Sequence, residues 1–358
     1  MFDELNDYRK KIREFALKEF TEDVSKKYDR NEEFPFDIAK KALSLGMIDM
    51  ENPAKILIAI EEMCRVDAGL GISATLPYFG GEVLLLFGND GQKKILNDVY
   101  QGKVMLGLGI TEPSGGSDVA GLKTFAKKSG NKYILNGSKM FISNGAIADY
   151  LVVLARTSEE EKRHQGLSTF LVNTKLKGFK ATKLENKLGV RATNTAEIEF
   201  NDVELSEGDL IGEEGNGFYY IMTFFNISRI YVAGQALGIS EGAFDKIKSY
   251  VKTMNLADEQ TMFDVADVST RIEAAKQLTY NAASYLFKYD PKPELTSMAK
   301  AYSGETAVYS SEKAMEITGK SPDESIQRIF RNAKIMEIWE GTSEVEKLVI
   351  SKQILKGD

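Results

Sequence analysis

From the start of the chain the apolar residues Leu5, Tyr8, Ile12 and Phe15 recur at spacings of three and four, the stripe of a helix lying on a core. Asn52-Pro53 can cap and open a further helix through Ile56, Ile60 and Met63, since proline's missing N–H falls in a first turn that does not need it. This helical stretch is expected to end near residue 105. The period then changes. Lys132-Tyr133-Ile134-Leu135 and Ser138-Lys139-Met140-Phe141-Ile142-Ser143 flank Asn136-Gly137, which predicts two strands joined by a tight hairpin turn. Extended runs at Tyr150 to Arg156 and Ser168 to Val172, and the alternation Ala196, Ile198, Phe200, continue a sheet with one buried face. Beyond Gly212 and Gly217 the helical period returns, with Val268, Ile272, Ala275, Leu278 and Ala282 on one face and Leu295, Met298, Tyr302 and Tyr309 on another. Asp290-Pro291-Lys292-Pro293 breaks the two apart.

Helices, then strands, then helices predict an α+β protein, mainly α: a helical N-terminal domain over 1–105, an antiparallel β middle domain over 106–212 and a C-terminal helical bundle over 213–358. That order disfavours a Rossmann domain. Gly212-Glu213-Glu214-Gly215-Asn216-Gly217 has the wrong spacing for a dinucleotide fingerprint and reads as the linker from sheet to bundle.

Composition narrows the function. With 358 residues, 43% apolar and 28% charged, the chain can bury more than one core. A net charge of -7 argues against nucleic-acid binding, which needs a basic surface. Cys64 is the single cysteine and His164 the single histidine, so thiolate or zinc clusters and a Ser-His-Asp triad cannot be assembled; no metal is expected, and His164 reads as a solvated loop residue. A lone cysteine fits a reducing cytoplasm. Met1 to Lys18 are charged and lack the apolar stretch of a signal peptide, and apolar runs such as Val83 to Phe87 fall short of the roughly 20 residues of a membrane span. A cytoplasmic, non-membrane protein is the expectation.

Two segments carry candidate chemistry. Ile110-Thr111-Glu112-Pro113-Ser114-Gly115-Gly116-Ser117-Asp118 ends an apolar strand in paired glycines flanked by hydroxyls; such a loop can aim several N–H groups at a pyrophosphate, although a plain surface turn suits the pattern better. In Ile338-Trp339-Glu340-Gly341-Thr342-Ser343-Glu344 one helix is expected to end at Gly341 and another to begin at Ser343 or Glu344, Ser343 and Glu346 having capping-box spacing. Glu340 then lies in the bend, against the negative end of a helix dipole and beside apolar residues that raise its pKa and strengthen it as a base. An exposed helix-end glutamate fits these facts equally well.

Thr111 to Asp118, Asn136 to Gly145, Lys187-Leu188-Gly189-Val190-Arg191, Gln235-Ala236-Leu237-Gly238 and Trp339 to Glu344, taken together and in this order, resemble the acyl-CoA dehydrogenase family. The resemblance runs from near residue 30 to the C-terminus. It implies a β-barrel-like middle domain, a C-terminal four-helix bundle and FAD held between them. It places Ile110, Thr111, Ser117, Phe141, Ser143, Trp339, Thr342 and Glu344 at the cofactor, and Ser117, Asn226, Arg229, Trp339 and Gly341 at the CoA thioester. Glu340 takes the place of the catalytic glutamate; the alternative position used by some members, before the arginine, is Ser228 here. The implied reaction converts acyl-CoA to trans-2-enoyl-CoA in a homodimer or homotetramer, with an electron-transferring flavoprotein as acceptor.

The chain also departs from the family. Met254-Asn255-Leu256-Ala257-Asp258-Glu259 lacks the arginine and Phe-Gly pair that reach FAD in a neighbouring subunit, Glu316-Ile317-Thr318-Gly319-Lys320-Ser321-Pro322 replaces a glutamine and double glycine, Phe141 replaces a tryptophan, and the loop after Asp49 is shortened. These changes keep open a same-fold oxidase or enoyl-CoA reductase and a non-catalytic CoA-thioester-binding subunit. Retention of Glu340, Thr111 and Ser143 weighs against the last.

Overall fold

The computed structural model describes residues 3–46, 49, 52–286, 291–319 and 323–356. Asp290, Lys320, Ser321, Pro322 and the two residues after Asp49 lie outside them. Helices α1 (Asn6–Glu19), α2 (Glu22–Asn31), α3 (Phe36–Ser44), α4 (Pro53–Val66), α5 (Ala68–Thr75), α6 (Gly81–Phe87) and α7 (Asp90–Tyr100) precede the sheet. The predicted opening of α4 at Pro53 is present, but Asn52 makes no side-chain cap. Residues Ala68–Phe87 are together long and apolar enough to cross a membrane, a stretch the shorter runs considered above did not include; 72% of the relevant window is buried inside the protein. It is divided into α5, a 3-10 turn and α6.

The sheet comprises β1 (Leu106–Gly109), β2 (Phe125–Ser129), β3 (Lys132–Ser143), β4 (Tyr150–Arg156), β5 (Leu167–Asn173), β6 (Phe179–Lys183), β7 (Thr195–Ser206) and β8 (Leu210–Ile211), in spatial order β6-β7-β3-β2-β4-β5-β8 with β1 beside β4. Pairings are antiparallel except β1 with β4 and one bridge from β2 to β4. The expected hairpin at Asn136-Gly137 does not form: β3 runs through it, and the reversal falls between β2 and β3, where Gly130 has φ +63°. Asn136-Gly137 is instead a register shift opposite β7, and a Cβ at Gly137 would come within 2.6 Å of Thr124 Oγ1. Asn-Gly supplies left-handed or otherwise unusual backbone to a bulge as readily as to a turn, so the dipeptide alone could not choose.

Strand β4 shows why this sheet lacks a wet face at its centre. Leu151 and Val153 pack among Tyr133, Phe170 and Phe200, whereas Val152 and Leu154 point into the core shared with the helices. Period-two alternation is satisfied on both sides, so the strand reads as a continuous apolar run.

The bundle contains α8 (Gly217–Thr253), α9 (Glu259–Leu286), α10 (Pro293–Thr318), α11 (Glu324–Ala333) and α12 (Ser343–Ile354). Helix α8 also packs on α4 at close range: a Cβ at Gly238 would lie 2.3 Å from Glu61 O, and one at Gly242 2.4 Å from Arg65 O. Only glycine permits that approach. Arg65 then reaches Glu241 and Asp245 at 3.1 and 2.6 Å. Thus the N-terminal helices and the bundle form one wall of the cavity described next.

Candidate active site

On the sheet side, the loop after β1 is held from beneath. Glu112 accepts from Lys123 N at 2.7 Å, Thr124 N at 2.9 Å and Lys139 Nζ at 3.0 Å, and Lys139 also donates to Ile110 O at 3.0 Å. Burial opposes charge on Glu112, yet the Lys139 ammonium and these hydrogen bonds hold the carboxyl below its usual range. Burial pushes Lys139 down to about 8, which still leaves it protonated at neutral pH. The pair pins both Ile110 and Glu112, and Thr111 lies between them.

On the helical side, α11 passes through a 3-10 turn (Lys334–Glu337) into a bend at Glu340 and Gly341, whose φ values are +55° and +109°. Helix α12 starts at Ser343 as expected, but its cap is Thr342, which accepts from Val345 N at 3.3 Å. Ser343 and Glu346 form no capping box. Glu346 is fully buried and pairs with Arg229 at 2.9 Å, because the space beside Gly341 admits its carboxylate; a Cβ at Gly341 would stand 2.0 Å from Glu346 Oε1. Glu340 therefore sits ahead of the positive end of α12 rather than at the end of a regular α-helix, and the dipole argument made from sequence does not apply.

Ser228 donates to Glu340 Oε2 at 2.6 Å, and no hydrogen bond to Oε1 forms among the described residues. Arg229 Nε lies 3.4 Å from Glu340 O, and Lys300 Nζ donates to Gly341 O. Burial raises the Glu340 pKa, with Ser228, Arg229 and Lys300 opposing and Glu346 assisting. Burial likewise brings Lys300 down to about 8.

Between the two sides lies a cavity of about 680 Å³. It brings together Ile110, Thr111, Ser117, Phe141, Ser143, Trp339, Glu340, Gly341 and Thr342, drawn from the sheet, its loops and the bend. It does not bring in Asn226 or Glu344; Glu344 is exposed, and Arg229 stands behind the bend instead of on the cavity wall. The segment Lys187 to Val190 adds to the lining and is closed on itself by Lys187, which donates to Thr193 O at 2.6 Å and Val190 O at 3.1 Å. Gln235, from the motif Gln235 to Gly238, also lines it, as do Tyr78, Glu82 and Tyr231, none of which the sequence pattern had marked. The one available signal was Glu82 itself, a lone carboxylate ahead of the apolar run Val83 to Phe87.

The donor set suits a planar heterocycle bearing ring nitrogens and carbonyls. Hydroxyls of Thr111, Ser143 and Thr195 share the cavity, and the Trp339 Nε1 is enclosed without a hydrogen-bond partner among the described residues. The two acidic departures from the family have local partners: Asp258 accepts from Thr261 N at 2.9 Å in the first turn of α9, and Glu316 pairs with Lys313 at 2.7 Å. His164 is not freely solvated; its ring lies 5.4 Å from that of Phe218.

Three family models match the chain in sequence: the N-terminal domain of acyl-CoA dehydrogenase over residues 3–103, the middle domain over 107–203 and the C-terminal domain over 215–355. The chain is 36% identical to an acyl-CoA dehydrogenase of Bacillus subtilis over 98% of its own length and 97% of that protein's. It is 33% identical to the CarC subunit of the caffeyl-CoA reductase–Etf complex of Acetobacterium woodii, with 97% of each covered. Among solved structures, butyryl-CoA dehydrogenase from Megasphaera elsdenii superimposes with a TM-score of 0.90 at 30% identity, covering 98% of this chain and 97% of that one.

Proposed function

The chain belongs to the acyl-CoA dehydrogenase family of FAD-dependent oxidoreductases, and on that premise we propose that it removes hydrogen from C2 and C3 of an acyl-CoA thioester, with Glu340 taking the C2 proton. One observation carries this reading: the Glu340 carboxylate, raised in pKa, faces the same cavity as the Thr111 and Ser143 hydroxyls while Ser228 holds only one of its oxygens.

Thr111, Ser117, Ser143, Trp339 and Thr342 would hold FAD, which when bound supplies the two-electron acceptor for the C3 hydrogen. What the chain itself must do is lower the barrier to proton removal. The C2 hydrogen of a thioester is a very weak acid, and each tenfold in rate requires about 1.4 kcal/mol. Ser228 fixes Oε2 and so aims Oε1, which receives the proton. Desolvation makes the carboxylate a stronger base than one in water. The backbone N–H at Glu340, in the left-handed bend, would donate to the developing thioester oxygen. Apolar walls including Phe224 and Val232 exclude water from the transfer.

Likeness to the Etf-complex subunit supports an electron-transferring flavoprotein as redox partner, and also favours a second reading, use of the same site in the direction of enoyl-CoA reduction. The test is anaerobic titration of the yellow protein with acyl-CoA. The wild type should bleach, and Glu340→Gln should retain its flavin but not bleach; normal bleaching by that variant would falsify the assignment of the base. Oxidation of the bleached enzyme by an enoyl-CoA faster than by a flavoprotein acceptor would select the reductive reading.

A further inference from the structure

Resting on the reading of the cavity as an acyl-CoA site, we propose that Glu82, Tyr78 and Tyr231 form a hydrogen-bonding subsite for the tail of the acyl group, and that the physiological acyl tail carries a hydroxyl. All three side chains are at least nine-tenths buried, at 4%, 4% and 8% exposure, and all three line the cavity. The walls around them are apolar: Ile56, Ile60 and Val232 contribute, and Phe79 meets Phe224 edge to face with ring centroids 5.8 Å apart. A subsite for a plain alkyl chain would need nothing more.

Yet Glu82 Oε2 and Tyr78 Oη are enclosed without a well-formed hydrogen bond among the described residues; the two groups approach each other closely enough to share a weak one, which leaves hydrogen-bonding capacity of both unused. A buried polar group left unpaired is destabilising, so its place on a ligand cavity calls for a ligand that pairs with it. The backbone is shaped to keep the cluster there. Gly80 turns with φ +90°, and a Cβ at Gly81 would fall 2.3 Å from the Tyr78 ring, so the phenol packs directly on main chain.

Burial, opposed by hydrogen bonds from its own backbone and from Tyr78 and helped by the charge on Glu340, pushes Glu82 up to about 7. Below that pH the carboxyl is neutral and offers one donor and one acceptor, and the two phenols, whose ionisation burial suppresses, are donors at any physiological pH. This set matches a hydroxyl, which both gives and takes a hydrogen bond. It suits a carboxylate tail poorly, because among the described residues no positive charge acts on Glu82, whereas the negative Glu340 does.

Matched thioesters test the proposal: para-hydroxyphenylpropanoyl-CoA against phenylpropanoyl-CoA, and ω-hydroxypentanoyl-CoA against hexanoyl-CoA, each followed by half-saturation of anaerobic bleaching and by calorimetric binding. The hydroxylated member of at least one pair should bind about tenfold more tightly or better, since a site built to bond a hydroxyl rejects the analogue lacking it. Glu82→Leu should erase that preference and Glu82→Gln should keep most of it; Tyr78→Phe gives a second, milder test of the same cluster. Equal or tighter binding of the unhydroxylated members in both pairs, or a preference unchanged by Glu82→Leu, overturns the subsite. Failure of all four thioesters to bind or bleach removes the acyl-CoA reading as well, a result separable from loss of preference alone.

Discussion

Two glutamates serve the same cavity, Glu340 on its wall and Glu112 beneath the loop that lines its other side, and their surroundings are opposite. Glu112, under the sheet-side loop, has a lysine and two backbone N–H groups on its oxygens and is held below the ordinary carboxylate range. Glu340, in the bend before α12, has one serine hydroxyl on one oxygen and is raised above it. The difference separates fixing a loop from moving a proton. A carboxylate saturated with donors is a poor base and a good anchor; one that is desolvated and half satisfied is a poor anchor and a good base. The ion pair near Glu340, between Arg229 and Glu346, does for the bend what Lys139 does for the loop, and it leaves Glu340 out of the pairing.

The anchor is the place to break this contrast most severely. Lys139→Met leaves the Glu112 charge buried and uncompensated, a change that costs about 3–5 kcal/mol when one partner of a buried pair is removed. Urea unfolding of the FAD-bound protein should show a loss of that size, and Lys139→Met combined with Glu112→Gln should recover part of it. A loss below about 1 kcal/mol for the single variant would mean that the pair is not what holds the loop.

The two regions also differ in how far the chain's pattern revealed them. Strand β7 was legible because alternation of apolar residues is a local signal, β4 and β5 because each is a short extended apolar run, and the start of α12 from its polar entry. Asn136-Gly137 misled because a bulge and a turn make the same backbone demand. The mutual cavity of Thr111, Ser143 and Glu340 followed from motif resemblance and not from period. Nothing local showed that Glu346 would turn inward to Arg229, or that Lys300 would reach Gly341 O, since these contacts join three helices distant in sequence. Glu82 and Tyr78 escaped notice for the same reason: their meaning depends on what α8 brings opposite them.

Gly341→Ala attacks the contrast from the side of the base. At φ +109° any side chain is strained, a cost of about 1–3 kcal/mol. The added Cβ would also collide with Glu346 Oε1, displacing the carboxylate that pairs with Arg229 and so the bend that carries Glu340. Stability in thermal unfolding should fall by that amount, and the rate of flavin bleaching should fall by more than stability accounts for, because the base is moved while the Glu112 anchor is untouched. Unchanged bleaching in a destabilised variant would show that the bend tolerates the shift.

Ser228→Ala is the gentlest of these changes, and it tests why Glu340 remains a usable base. The base acts only when deprotonated, so kcat/KM should rise with pH through the Glu340 pKa, which lies above the ordinary carboxylate value. The Ser228 hydrogen bond favours the ionised form and pulls that pKa down, against desolvation. Removing it must therefore move the acid limb of the profile to higher pH, by about one unit if the bond to the charged carboxylate is worth roughly 1.5 kcal/mol. The plateau above the limb should be lowered only as far as Oε1 loses its aim, and folding stability above the limb should fall by about the same 1.5 kcal/mol, since the lost bond stabilises the ionised form in the folded state alone. A limb that stays in place, or moves to lower pH, would transfer control of the Glu340 proton from Ser228 to the more distant charges of Arg229 and Lys300.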